Sequence, residues 1–415
     1  MTGSTMRTRT EDPYPHSVIR HKPFALFFCA RWASITAFQM QGVAVGWQIY
    51  AITGSAWYLG LVGLAQFLPM FLLTLVVGHV ADRFDRRMIA RVCQTVEGLA
   101  AGMLAIGSFG GWLGKEWLLV IAFITGAARA FEGPSMQAMV PGLVPPILIP
   151  RAVAWSAAAL QIASILGPAL GGLLYAFGPT TVYVTTSLLF LAAGVFIART
   201  GPAPPPAAGR EPVRLASIFA GISFIRHRPV ILGAISLDLF AVLLGGATAL
   251  LPIYARDILV TGPWGLGLLR AAPGIGALAM SFHLARRPLR RRVGRIMFAA
   301  VGIFGAATIV FAVSTSFLLS LGTLVILGAA DVISVVIRAA LVQLQTPDEM
   351  RGRVSAVNSM FIGTSNQLGE FESGATAAWF GVVPAVLIGG IGTILVVLLW
   401  MRLFPQLLQT ETLES

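Results

Sequence analysis

Charge is scarce in this chain: only 11% of its 415 residues are Asp, Glu, Lys or Arg. Soluble domains carry roughly 25%, so an ordinary water-facing fold is excluded. Cysteine is scarcer still. Cys29 and Cys93 each lie inside an apolar run, so no disulfide framework is expected and both read as buried small hydrophobes. The five histidines (His16, His21, His79, His227 and His283) fall in the expected tail and loops without ligand spacing, which leaves no metal centre. A phosphate-binding loop is also missing. Its nearest approximation, Gly114-Lys115-Glu116, has Phe109 where glycine is needed and a glutamate where Ser or Thr is needed, which argues against an ATP-driven pump. No cofactor, no metal and no enzymatic activity are expected.

What the chain has is apolar length. It is 56% hydrophobic, with a mean hydropathy of +0.82. Apolar runs long enough to span a bilayer recur throughout. They predict an all-α membrane protein with twelve transmembrane helices near 24–50, 57–80, 89–111, 117–140, 152–176, 180–199, 230–255, 264–285, 295–313, 317–343, 354–378 and 382–404. The net charge of +12 does not mark a nucleic-acid partner, because the basic residues sit in short loops while the aromatics lie within the apolar runs. Basic clusters at Arg83–Arg91, Arg226–Arg228, Arg286–Arg295 and Arg351–Arg353 all fall on one side; only Lys115 and Arg256 fall on the other. The positive-inside rule then puts both termini in the cytoplasm.

The chain also repeats itself. Gly78-His79-Val80-Ala81-Asp82-Arg83-Phe84-Asp85-Arg86-Arg87 is answered 204 residues later by Phe282-His283-Leu284-Ala285-Arg286-Arg287-Pro288-Leu289-Arg290-Arg291. The second copy puts Arg286 where the first has Asp82. Ile19-Arg20-His21-Lys22-Pro23 recurs as Ile225-Arg226-His227-Arg228-Pro229, and Gly126-Ala127-Ala128-Arg129 matches Gly328-Ala329-Ala330-Asp331. Two pseudo-symmetric six-helix bundles follow, related by an axis along the membrane normal. The expected organisation is a cytoplasmic tail over 1–22, bundles over 23–200 and 230–404, a linker over 201–229 and a second tail over 405–415. In the linker, Gly201 to Pro212 is proline-rich and stiff, and Val213 to Arg228 has the spacing of a surface-lying amphipathic helix.

Twelve spans in two halves, with a basic loop between the second and third, resemble the major facilitator superfamily. Gly78, Asp82, Arg83, Arg86 and Arg87 match its loop signature. Ala163, Gly167, Pro168, Gly171 and Gly172 in the fifth span look like the motif of its antiporters and exporters, with alanine for the usual first glycine. Val45-Gly46-Trp47-Gln48-Ile49-Tyr50 and the stretch from Met350 to Gly374 are similar to the branch that contains the enterobactin exporters. The resemblance implies that Asp82 latches the halves in the outward-facing state, that the fifth-span motif seals them against leak, and that the protein works as a monomer. It also implies that the first, fourth, seventh and tenth spans line a central cavity.

Charges within the spans should face a partner or water, because each is costly against lipid. Arg129 and Glu132, three apart on one helix, can pair directly. Asp331 and Arg338 share a face but stand about 10 Å apart in rise, too far for a direct bond. As repeat equivalents, Arg129 and Asp331 are expected to meet across the cavity. Asp238 reads either as a proton carrier or as the static partner of Arg31. Gln39, Gln41 and Gln48 of the first span and Asn366 and Gln367 of the eleventh are candidates to hydrogen-bond substrate, with Trp32, Phe38, Phe240 and Phe361 as candidate aromatic walls. The expected function is proton-coupled export of a small molecule, a siderophore or a drug-like compound, from a bacterial inner membrane by alternating access. Partners are then the substrate, protons and the bilayer. Import of a solute on the same fold and a non-transporting sensor are the alternatives.

Overall fold

The structure is a computed structural model that describes residues 18–201, 215–289 and 291–412. The proline-rich linker from 202 to 214 and the first 17 residues of the N-terminal tail lie outside the described residues.

Every regular element among the described residues is helical. The first half contains α1 (Lys22–Thr53), α2 (Ala56–Arg83), α3 (Arg86–Phe109), α4 (Lys115–Met139), α5 (Ile149–Tyr175) and α6 (Pro179–Ala198). The amphipathic α7 (Leu215–Arg226) comes next. The second half has α8 (Pro229–Leu244), a short α9 (Leu251–Ile253), α10 (Gly262–Arg286), α11 (Val293–Val313), α12 (Phe317–Leu344), α13 (Asp348–Phe380), α14 (Val382–Leu403) and a terminal turn, α15 (Pro405–Leu408). Among the described residues, ten helical stretches are long and apolar enough to cross a membrane. The two remaining long helices, α1 and α13, carry much of the polar load, including Arg31 in one and Glu370 and Glu372 in the other. A belt of exposed leucines and isoleucines, among them Leu99, Ile106, Leu188 and Leu395, gives the outer surface a lipid-facing character.

Helices of each half pack mainly on one another. In the first half α3 lies on α6 and α4, α1 on α5 and α6, and α2 on α4; in the second, α10 lies on α12, α11 on α12 and α14, and α8 on α13 and α14. The principal contacts across the boundary are α5 with α10 and α2 with α13. Below, the near end of the molecule is the one where α1 begins, and the far end is the one where it stops.

Three features depart from a plain count of spans. The seventh apolar run, expected as one helix, breaks after Leu244 into a 3₁₀ turn (Ala247–Leu250), α9 and a π turn (Tyr254–Ile258). Gly245 and Gly246 sit at the break, and a Cβ on Gly246 would stand 2.6 Å from the Ser373 hydroxyl. A glycine pair is a recognised kink site, and here it admits α13. The surface helix α7 packs on the first turns of α13, where a Cβ on Gly221 would lie 2.9 Å from the Arg353 carbonyl oxygen. The described residues beyond Phe404 are not a free tail. They fold back so that Glu411 and Thr410 carbonyls accept the Val293 and Gly294 amides at 3.4 and 3.0 Å, capping the open amides of α11.

Close packing in the second half rests on Gly328 of α12, whose added Cβ would overlap the Pro273 carbonyl of α10. Gly328→Val should therefore destabilise the protein by about 1–3 kcal/mol through overpacking. Thermal unfolding in detergent measures this, and an unchanged Tm would contradict the contact.

Candidate functional site

The far end is shut. A Cβ on Gly172 of α5 would stand 2.8 Å from Gly267 Cα on α10, and one on Gly267 would stand 3.0 Å from Gly172 Cα. On the opposite side a Cβ on Gly60 of α2 would stand 3.1 Å from Gly374 Cα on α13. Contacts this close between backbones require residues without side chains. The fifth-span motif thus does two jobs. Gly172 and the Pro168 carbonyl face α10 in the other half, whereas Gly167 and Gly171 receive Gln39 and Met40 of α1 in their own half. Ala163 is wholly buried.

The run Val45 to Tyr50 supplies the polar part of this closure. Arg270 of α10 packs against α1, with its Nη2 3.5 Å from where a Gly46 Cβ would stand. Gln48 accepts from the Tyr183 hydroxyl at 2.6 Å. Tyr50 donates its hydroxyl to Asp257, and Arg256 donates to the Tyr50 carbonyl at 3.3 Å. Glu370 of α13 presses into a notch at Gly63 of α2, where a Cβ would meet its Cβ at 2.8 Å.

On the near side of the seal lies a cavity of about 350 Å³. Its walls include Arg31, Phe38, Gln66, Arg129, Glu132 and Gln137 of the first half and Gln367 of the second. Glu132 is its best-held charge: Arg129 donates to it at 2.8 Å, Ser34 at 2.6 Å and Gln94 at 3.0 Å. The Arg129 guanidinium also lies over the Phe38 ring, 4.2 Å from its centre. Arg31 shares the cavity with this pair, and its buried Nε finds no hydrogen-bond partner.

A second cluster is confined to the other half. Asp238 of α8 is engaged by Arg338 of α12, both side chains being almost fully buried. Its expected partner Arg31 lies instead in the first-half cavity. Asp331 lines a pocket of about 10 Å³ with Asp238 and Ser334, room for at most one water. It does not meet Arg129, which is turned toward Glu132 and Phe38. Repeat equivalence had put these two residues at matching depths. Arg129 turns to Glu132 within its own bundle, and Asp331 lies beside Asp238 in the other.

The loop between α2 and α3 is only partly described. Gly78 and Asp82 fall in the last turns of α2, and the Asp82 side chain lies outside the described residues. Asp85, which sequence reasoning passed over, caps α3 by accepting the Arg87 amide at 3.0 Å; an aspartate just before a helix start was the available signal. Arg86 donates to the Ala138 carbonyl at 3.2 Å, and Arg83 is exposed.

The proposed substrate wall is largely rearranged. Gln39 faces Gly167 and Gln41 is buried with a free Oε1. Phe240 stacks on Trp400 of α14 with ring centres 5.2 Å apart, and Phe361 packs into the cluster beneath α7. None of these four lines the cavity, whereas Phe38 and Gln367, also expected there, do. Gln66 and Gln137 do, and each was visible as a polar residue in an apolar helix. Cys93 is buried as expected, but Cys29 is exposed.

The Asp238–Arg338 pairing makes a prediction. Asp238→Asn should leave a buried guanidinium unpaired and cost about 3–5 kcal/mol, whereas removing both charges in Asp238→Leu/Arg338→Met should recover most of it. Thermal unfolding of the purified variants tests this. If Arg31→Ala reproduces the loss and the double variant does not recover, the pairing is wrong.

Comparisons agree with this architecture. The profile of the transmembrane secretion effector family matches residues 14–415. The enterobactin exporter EntS of Citrobacter koseri is 29% identical over 406 residues, covering 93% of each chain, and that of Escherichia coli O139:H28 is 27% identical over the same extent. Among solved structures, a bacterial homologue of the human lysosomal transporter Spinster, in an inward-facing and occupied conformation, superposes with a TM-score of 0.73 at 13% identity, over 95% of this chain and 97% of that one. A bacterial homologue of the iron transporter ferroportin, in an inward-facing state, gives 0.68 at 18% identity, over 95% and 100%. This chain is a multi-pass membrane transporter of the transmembrane secretion effector family, in the enterobactin-exporter-like branch of the major facilitator superfamily.

Proposed function

We propose that the protein exports a small organic molecule, a siderophore or drug-like compound, across a bacterial inner membrane by alternating access, in exchange for protons. The near end and both termini face the cytoplasm in this reading, which the one-sided basic loops support. The observation that carries it is the cavity of about 350 Å³ on the near side of a shut far end, with walls drawn from both halves. Such a chamber suits loading from the cytoplasm. Release follows when α5–α10 and α2–α13 part at the far end and the near ends come together, with Asp82 latching the outward-open state. The names of the relatives, both enterobactin exporters, support a siderophore as cargo and export as the direction.

Arg31, Arg129 and Glu132 line the loading chamber, with Gln66, Gln137 and Gln367 offering hydrogen bonds and Phe38 an aromatic face. Asp238, Asp331 and Arg338 lie apart from the chamber, buried within the other half. The Asp238–Arg338 bridge supports a static role for Asp238, with a partner other than Arg31. Proton entry can drive the cycle because the membrane potential alone contributes about 2.3 kcal/mol per charge per 100 mV.

Inside-out membrane vesicles supplied with radiolabelled enterobactin test the reading. Acidifying the lumen should drive label inward, and collapsing the gradient should reduce uptake several-fold. Flux that is indifferent to the gradient would rule out antiport, and label driven outward would indicate import.

A further inference from the structure

Glu97 of α3 is a buried acid outside the cavity wall, and its surroundings are unusual. Its side chain is wholly shielded from solvent. Among the described residues neither carboxylate oxygen has a hydrogen-bond partner, and one turn earlier on the same face the Oε1 of Gln94 is also buried without one. Gln94 is not misoriented, because its Nε2 donates to Glu132 at 3.0 Å. Three adjacent acceptor oxygens therefore lack a donor.

An ionised carboxylate in such a place is strongly disfavoured. The charged groups near it do not remove the problem. On α4, Arg129 is committed to Glu132, Ser34 and the Phe38 face, and Glu132 adds a like charge. On α1, Arg31 lines the cavity beside that pair, and its Nε makes no hydrogen bond. On α3 itself the titratable neighbour is Cys93, one turn away and buried. From α6 come Leu191, packed on Gly98, and Ser187, which donates to the Gly98 carbonyl at 2.7 Å; the Tyr183 hydroxyl is spent on Gln48. A single proton accounts for two of the three. Placed on Glu97, it turns one orphan acceptor into a donor whose natural recipient, three residues away on the helix, is Gln94 Oε1.

We propose that Glu97 is a proton-binding site, occupied in this conformation and connected to the cavity through Gln94 and Glu132. The chain of groups runs from the Glu97 hydroxyl to Gln94 Oε1, and from Gln94 Nε2 to the Glu132 carboxylate that faces the cavity. When the site discharges, the O–H bond of Glu97 breaks and its electron pair stays on the carboxylate; Gln94 Oε1 takes up the proton as Gln94 Nε2 releases one to Glu132 and thence to water in the cavity, and the imidic acid left at Gln94 tautomerises back to the amide. An acid without a fixed partner thus lies in the first half, behind Glu132, in contrast to the bridged Asp238. Use of this proton for transport rests on the antiport reading above; occupancy of the site does not.

Infrared spectroscopy of the full-length protein in lipid at neutral pH tests it without any substrate, so its failure is separate from failure of the export reading. The wild type should show the carbonyl stretch of a protonated buried carboxyl. Glu97→Gln should lose that band, while Asp238→Asn and Asp331→Asn keep it. Gln94→Leu should keep the band but slow its shift in D₂O by several-fold. A second readout guards against misfolding: Glu97→Gln, which mimics the protonated acid, should unfold at the wild-type temperature, whereas Glu132→Gln should unfold lower. A wild type without the band, a band that survives Glu97→Gln, a Gln94→Leu variant that exchanges at the wild-type rate, or a Glu97→Gln variant that is itself destabilised would each overturn the proposal.

Discussion

Two backbone-on-backbone contacts, α5 against α10 and α2 against α13, set the conditions for everything else in the molecule. They are possible because Gly172, Gly267, Gly60 and Gly374 present no side chains at the meeting points. In a bilayer, helix association gains little from the hydrophobic effect and depends on close packing and interhelical hydrogen bonds. Glycine notches supply the first and the Tyr50–Asp257–Arg256 group supplies the second. Because both contacts lie toward the far end, the halves splay below them, and the space so created is the cavity between Arg31, Arg129 and Gln367.

The same closure decides where charge can reside. Arg270 and Glu370 belong to the second half but lodge in glycine notches of the first, at Gly42, Gly46 and Gly63. Glu132, Arg129 and Arg31 stand on the open side of the seal, while Asp238 and Arg338 neutralise one another inside their own bundle. The halves share a fold and divide the electrostatic work: one presents its charges to the cavity, and the other bridges a buried acid and a buried base internally.

Much of this was legible in the residues. Hydropathy placed most helix ends within a few residues, since length and apolar content dictate where a chain can cross a bilayer, but it did not foresee the break after Leu244. The repeated basic loop anticipated two halves, and the fifth-span motif lies at a boundary between them. What the sequence could not convey was rotation about each helix axis. Depth along a span follows from counting, so Arg129 and Asp331 looked like opposite numbers. Azimuth depends on packing, and packing turned one toward Glu132 and set the other beside Asp238. The partner of Asp238 lies 100 residues away, a separation at which local spacing rules are silent. Phe240 and Phe361 failed as cavity residues for the same reason: an aromatic in an apolar helix says nothing about which neighbour it faces.

If the far-end contact is the hinge of the cycle, it must open for transport to proceed. Trp57 of α2 and Phe371 of α13 meet across it with ring centres 5.7 Å apart. Cysteines placed at these two positions, in a background with Cys29 and Cys93 replaced by serine or alanine, should cross-link on mild oxidation. Transport in vesicles should then stop and should return on reduction. Full transport by the cross-linked protein would contradict the account.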